Sequence, residues 1–144
     1  MDYPLHFVTR LTAYYPPPQI GYTSPAEARL EGGPQDCRGN PLHTLQAFLS
    51  GDAPWVSLAL DPLILGTIVA YGSRIELPAF SRTWGRPGIP FRAVDECAAA
   101  RCRGLDRIDV CVADSHAALD LRVNTIHPGI LWFSVPYPPA QVEP

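Results

Sequence analysis

The sequence predicts an all-β domain, a small closed barrel of about six strands with one or two short helices. Three observations lead there. Its 17 prolines and 11 glycines cut 144 residues into short segments, the punctuation that an all-β chain needs. Several of those segments alternate apolar and polar residues with a period of two, the signature of half-buried strands. Closure then removes the exposed edges that so many short strands would present in an open sheet. At this length the chain is one domain, 1–144, and can bury a real core without a metal or disulfide staple.

The elements follow in order. Residues 6–15, rich in β-branched and aromatic types, read as a first strand, stopped by Pro16–Pro18, which cannot donate to a ladder. Residues 16–40 hold many Pro, Gly and polar residues and read as a long surface loop. A helix is expected over 41–50: Asn40 suits the N-cap, Pro41 the first helical position and Gly51 the C-cap. Leu42, Leu45 and Leu49 give it an apolar stripe. In 55–61, Val56, Leu58 and Leu60 share one face, and Ser57, Ala59 and Asp61 the other. Residues 63–71 are nearly all apolar and read either as a buried strand or as a loop insertion. Further strands are expected at 73–77, stopping at Pro78, and at 89–95. The cleanest alternation is 107–112, where Ile108, Val110 and Val112 oppose Arg107, Asp109 and Cys111. Asp114 can cap a short helix to about residue 121. Residues 129–135 make a last strand, ahead of a proline-rich tail at 136–144.

Composition excludes several functions. The net charge of −3 argues against a nucleic-acid or anionic-membrane partner. All 11 basic residues are Arg, so Schiff-base chemistry on a lysine is excluded. No apolar run is long enough to span a bilayer. The first residues lack the basic and apolar regions of a signal peptide, so either the protein is cytosolic or a signal has already been removed. Cys37, Cys97, Cys102 and Cys111 fit disulfides in an oxidising compartment. Cys97 can staple its own loop to Cys102, and Cys37 can pair with Cys111 across the fold; the alternative is four free thiols. No cofactor or metal is expected: there is no CxxC pair, and His6, His43, His116 and His127 share no ligand spacing.

The candidate chemistry lies in three strand-borne aspartates, Asp61, Asp95 and Asp109. Each sits among apolar neighbours, where an acid needs partners or holds its proton, and a carboxyl protonated near neutral pH can act as a general acid. The bland alternative is loop capping through backbone N–H groups. Tyr14, Tyr15 and Trp84 can stack on sugar rings, whereas Trp55 is expected in the core. Glu31 and Asp36 lie in the long loop and can reach a cleft.

Ala59-Leu60-Asp61, Val94-Asp95 ahead of a small-residue loop, and Gly104 followed by Arg107-Ile108-Asp109 resemble the three-aspartate (3D) domain. That family is a double-psi β-barrel shared with membrane-bound lytic murein transglycosylase A. Thr12-Ala13-Tyr14 is similar to its first strand, and the resemblance spans about residues 8–135. It extends to a branch with a Glu31-Gly32-Gly33 turn, an Asp36 and Gly39 pair and a Pro41-Leu42 helix start. The resemblance implies a six-stranded double-psi barrel and a secreted or periplasmic enzyme that cleaves peptidoglycan or another polysaccharide; the sequence does not reveal the oligomeric state, a monomer being one option. It makes Asp109 the catalytic acid, Asp95 its orienting or charge-stabilising partner, and Asp61 a supporting residue. The chain departs from the pattern after Asp95. The family's Asp-Thr-Gly-Gly-Ala-Ile-Lys-Gly is replaced by Asp95-Glu96-Cys97-Ala98-Ala99-Ala100-Arg101-Cys102-Arg103-Gly104, without the two glycines that allow close backbone approach to a ligand. The alternative is a non-catalytic secreted carbohydrate-binding module of the barwin or expansin type, which the altered loop favours more than a family-typical loop would; a third is a proteinaceous effector or inhibitor on the same barrel.

Overall fold

The computed structural model describes residues 2–15, 35–97, 102–114, 116–117 and 125–134. Their elements, in chain order, are β1 (Asp2–Tyr14), α1 (Leu45–Leu49), β2 (Val56–Leu60), β3 (Ser73–Glu76), α2 (Pro78–Thr83), β4 (Phe91–Glu96), β5 (Arg107–Cys111) and β6 (Thr125–Ser134). The six strands close into a barrel in the order β1-β5-β2-β4-β3-β6. Two pairs are parallel, β1 with β5 and β2 with β4; the other four are antiparallel. Among the described residues, no helix is long and apolar enough to cross a membrane.

The alternation read from the sequence decides which face is inside. Leu11, Val56, Leu58, Leu60, Ile75, Phe91, Ala93, Ile108, Val110 and Leu131 fill the barrel. A β-bulge at Leu58/Ala59 shifts the β2–β4 register, so that Ala59 pairs with Asp95 rather than with Val94. A bulge of this kind re-aims side chains locally. Ala59 also pairs with Asp109 on its other side. One residue of β2 thus lies between the two aspartates.

Several boundaries differ from expectation. β1 starts at Asp2 and β6 at Thr125, because the two strands pair in an unbroken antiparallel ladder from Asp2↔Ser134 to Leu11↔Thr125. Prolines survive inside both strands because, among the described residues, each lacks a paired strand on one side there. β5 reaches only Arg10 of β1, and β3 reaches only Ile130 and Leu131 of β6, so Pro4 and Pro128 break no second ladder. Gly129 sits opposite Phe7, whose Cζ would lie 2.6 Å from a Cβ at that position.

The first helix is shorter than 41–50. Thr44, not Asn40, caps it, accepting from Ala47 N–H at 3.0 Å. Asn40 is occupied by the preceding turn, and Pro41 forms a bridge with Gln35. Residues 63–71 are a turn insertion with a single bridge, Leu65↔Val69, not a strand. Pro78 does not merely end β3; it takes the first helical turn of α2, where its missing N–H costs nothing. Asp114 Oδ1 accepts from Ala117 N–H at 2.8 Å, as an N-cap should. Residues 118–121 of the expected helix, 16–34 of the long loop and the 136–144 tail lie outside the described residues.

Candidate functional site

β1, β5, β2 and β4 place Thr12, Asp109, Ala59 and Asp95 in one row across the outside of the barrel. Asp95 and Asp109 are two strand spacings apart, about 9–10 Å between Cα atoms. The next row pairs Tyr14 with Cys111. Asp95 and Asp109 thus flank Ala59 in the same row, but their surroundings differ.

Asp109 is sealed, at 1% exposure. Thr12 donates its hydroxyl hydrogen to Asp109 Oδ1, Arg107 Nε donates to Thr12 Oγ1 at 3.0 Å, and the same Nε stands 3.9 Å from Asp109 Oδ1. Over the row lies the Cys97–Cys102 disulfide, with Cα atoms 5.9 Å apart. It packs with Ala59 and Tyr14 as a small core outside the barrel, and both sulfurs lie within 4.8 Å of an Asp109 carboxylate oxygen. Of the two pairings expected, this one forms. Cys37 and Cys111 are both free: Cys37 lies in the 36–40 turn, with its thiol on the Val94 carbonyl oxygen at 3.2 Å. Burial pushes each of these thiols up to about 12, so neither is a ready nucleophile.

Asp95 is half-buried and reaches solvent. Its carboxyl is pushed up to about 7, first by burial, with the Asp36 and Glu96 carboxylates adding to the rise. The Glu96 N–H, which donates to Asp95 Oδ1 at 2.9 Å, and the Tyr14 phenol pull the other way. The Tyr14 hydroxyl is buried beside Asp95 and Cys111 without closing a hydrogen bond of full geometry on either. Burial, then those two neighbours, raise it well above the ordinary phenol range, so it stays neutral. Tyr14 is therefore a wall of the Asp95 environment rather than an open stacking platform; Tyr15, the next residue, is exposed.

Asp36 is buried and heavily used. It accepts from the Tyr71 hydroxyl and from the Arg38 and Asn40 N–H groups at 2.9 and 3.0 Å. Asn40 Nδ2 donates to the Tyr71 oxygen at 2.9 Å, and Arg38 lies 4.4 Å over the Tyr71 ring. This network fixes the turn beside Asp95. The sequence reading singled out Asp36 but missed Tyr71, which lies 35 residues further along the chain.

Asp61 has the looped role that an acid at a strand end takes by default. Its carboxylate accepts from Leu63 N–H at 2.9 Å and Gly104 N–H at 2.8 Å, and these bonds hold its pKa below the usual carboxylate range. It ties the end of β2 to the segment before β5. Trp84 ends α2 and packs against Phe80 and the barrel core; the helix itself lies by β6, the strand opposite β2 in the barrel order. Trp55 is buried and stacks on His43 at 4.0 Å. Glu31 lies outside the described residues. No family model and no curated protein matches the chain.

Proposed function

We propose that the protein is a glycan-cleaving enzyme of the lytic transglycosylase type on a double-psi barrel, with Asp95 rather than Asp109 as the acid that meets substrate. The observation that carries this is the shared outer row, in which Asp95 is half-buried while Asp109 is covered at 1% exposure. An acid that keeps its proton near neutral pH suits protonation of a glycosidic oxygen. The two parallel strand pairs support the double-psi reading.

In the proposed reaction Asp95 gives its proton to the leaving oxygen as the anomeric bond breaks. The resulting carboxylate takes the proton of the sugar's own 6-hydroxyl, which closes on the anomeric carbon as a 1,6-anhydro ring. The proton is returned and no water is consumed. Asp36 and Glu96 supply negative charge near an oxocarbenium-like centre, and Asp61 and the disulfide hold the frame. Peptidoglycan or a related polysaccharide is the proposed partner. The disulfide fits an oxidising, secreted or periplasmic location.

A non-catalytic sugar-binding module is the second reading, favoured by the burial of Asp109 and the full engagement of Asp61. Mass spectrometry after incubation with peptidoglycan, chitosan and β-glucan separates the two. The enzyme reading expects products with anhydro ends, and a drop of about 100-fold or more in the Asp95→Asn variant, the scale of a lost general acid. Retained glycan binding with no product from wild type would establish the module instead.

A further inference from the structure

The Cys97–Cys102 disulfide holds two sulfurs in oxidised form beside the Asp109 carboxylate, three potential metal donors in one place. We infer that reduction of Cys97–Cys102 creates a site for a thiophilic divalent metal, zinc being the best chemical fit, built from both cysteine sulfurs and the Asp109 carboxylate.

The three donor atoms already lie within 4.8 Å of one another. Two thiolates on a tetrahedral zinc stand about 3.8 Å apart, given Zn–S bonds of about 2.3 Å. The Cα separation of 5.9 Å accommodates that spread through side-chain rotation. Four residues separate the cysteines, within the spacing of paired zinc ligands.

Cys97 and the segment after Cys102 are also tied by hydrogen bonds outside the disulfide. Cys97 N–H donates to the Leu60 carbonyl at 2.8 Å. The segment after Cys102 is fixed by Gly104 N–H on Asp61 at 2.8 Å and by Arg10 N–H on the Asp106 carbonyl at 2.8 Å. Asp109 lies on β5, so the third donor is rigid. Thr12, held by Arg107 and donating to Asp109, is the outer partner that a metal-bound carboxylate needs for orientation. The charge balance of the reduced site is negative: the Arg107 guanidinium, a single positive charge 3.9 Å from Asp109 Oδ1, faces three anionic donors. Two thiolates beside a buried carboxylate would repel in a low dielectric, and a divalent ion turns that repulsion into bonding. Three protein donors leave a fourth tetrahedral position for water, the arrangement of open zinc sites.

The chemistry balances. A dithiol reductant attacks one sulfur, the S–S bond breaks, the two cysteines gain two electrons and two protons, and the reductant leaves as its cyclic disulfide. Metal binding then replaces the two thiol protons by two metal–sulfur bonds; the protons go to solvent and no electron moves. The site is independent of the glycan-cleaving reading, and either can fail alone.

Cobalt(II) chloride is the probe. Full-length protein carrying Cys37→Ser and Cys111→Ala, which removes the competing thiols, is reduced with a dithiol, freed of it by gel filtration and titrated without oxygen. Roughly one cobalt per chain should bind, with thiolate-to-cobalt charge transfer and tetrahedral d–d bands. Zinc should bleach both, and the same protein left oxidised should show neither. Thr12→Val should weaken binding about tenfold, and Asp109→Asn at least as much. Absence of charge transfer in the folded, reduced protein overturns the site. So does the same spectrum in the oxidised protein or in the Cys97→Ser/Cys102→Ser variant, or unchanged affinity in folded Asp109→Asn.

Discussion

Asp95 and Asp109 flank the same alanine, yet burial and partners give them different work. Asp95 faces two carboxylates and keeps its proton to about pH 7. If it is the acid, the rate of glycan cleavage by the disulfide-bonded enzyme should be flat below that value and fall as pH rises through it, which a pH profile of product release checks. The Tyr14 phenol works against the rise, so Tyr14→Phe should move that limb to higher pH while leaving the fold intact. The same shift acts on stability with a definite sign. Asp95 holds its proton more tightly when folded, so its contribution is present at acid pH and lost as pH rises towards 7. Asp95→Asn should therefore gain on wild type in urea melts at pH 8 compared with pH 5. Asp61 has the opposite sign. Its lowered pKa gives stability that is present above the ordinary carboxylate range and lost as pH falls below it, and Asp61→Ala should lower the thermal midpoint less in strong acid than at pH 7.

At the scale of elements, clean alternation was legible and tertiary override was not. β2 and β5 appear where Ser57-Leu58-Ala59 and Ile108-Asp109-Val110 alternate, because a period of two has one structural reading. α2 was hidden because Pro78 ends a strand and starts a helix with equal ease, although Phe80 and Trp84, four apart, carried the helical signal. α1 starts late because Asn40 and Pro41 are taken by a turn whose key partner is Tyr71. A contact over so long a stretch of chain leaves no local trace. The site shows the same limit: the aspartates were visible, but Thr12 opposite Asp109 needs the parallel β1–β5 register, which no single segment encodes. Two tests belong here. Replacing Cys97 and Cys102 by Ala together should cost about 2 kcal/mol for a loop this short, read by denaturant unfolding. Gly129→Ala should cost about 1 kcal/mol by driving Phe7 off its packing, and the loss should largely vanish in a Phe7→Leu background.

The described strands form a ring whose closure joins the first to the last. β1 meets β5 and β6, and no smaller subset of strands is a barrel. Such non-local pairing predicts folding in milliseconds to seconds rather than microseconds. It also predicts one cooperative transition, in which tryptophan fluorescence and far-ultraviolet circular dichroism give coincident melts. The β1–β6 ladder carries a mechanical consequence as well. It begins at Asp2↔Ser134 and runs back into the barrel one pair at a time, so both strands leave it at the same pole. A load applied between those two residues would meet the ladder bonds singly, as a zipper does, rather than all at once in shear. The protein should resist tension across other pairs of points far better than across this one, and a tether there would open the ring at its own seam.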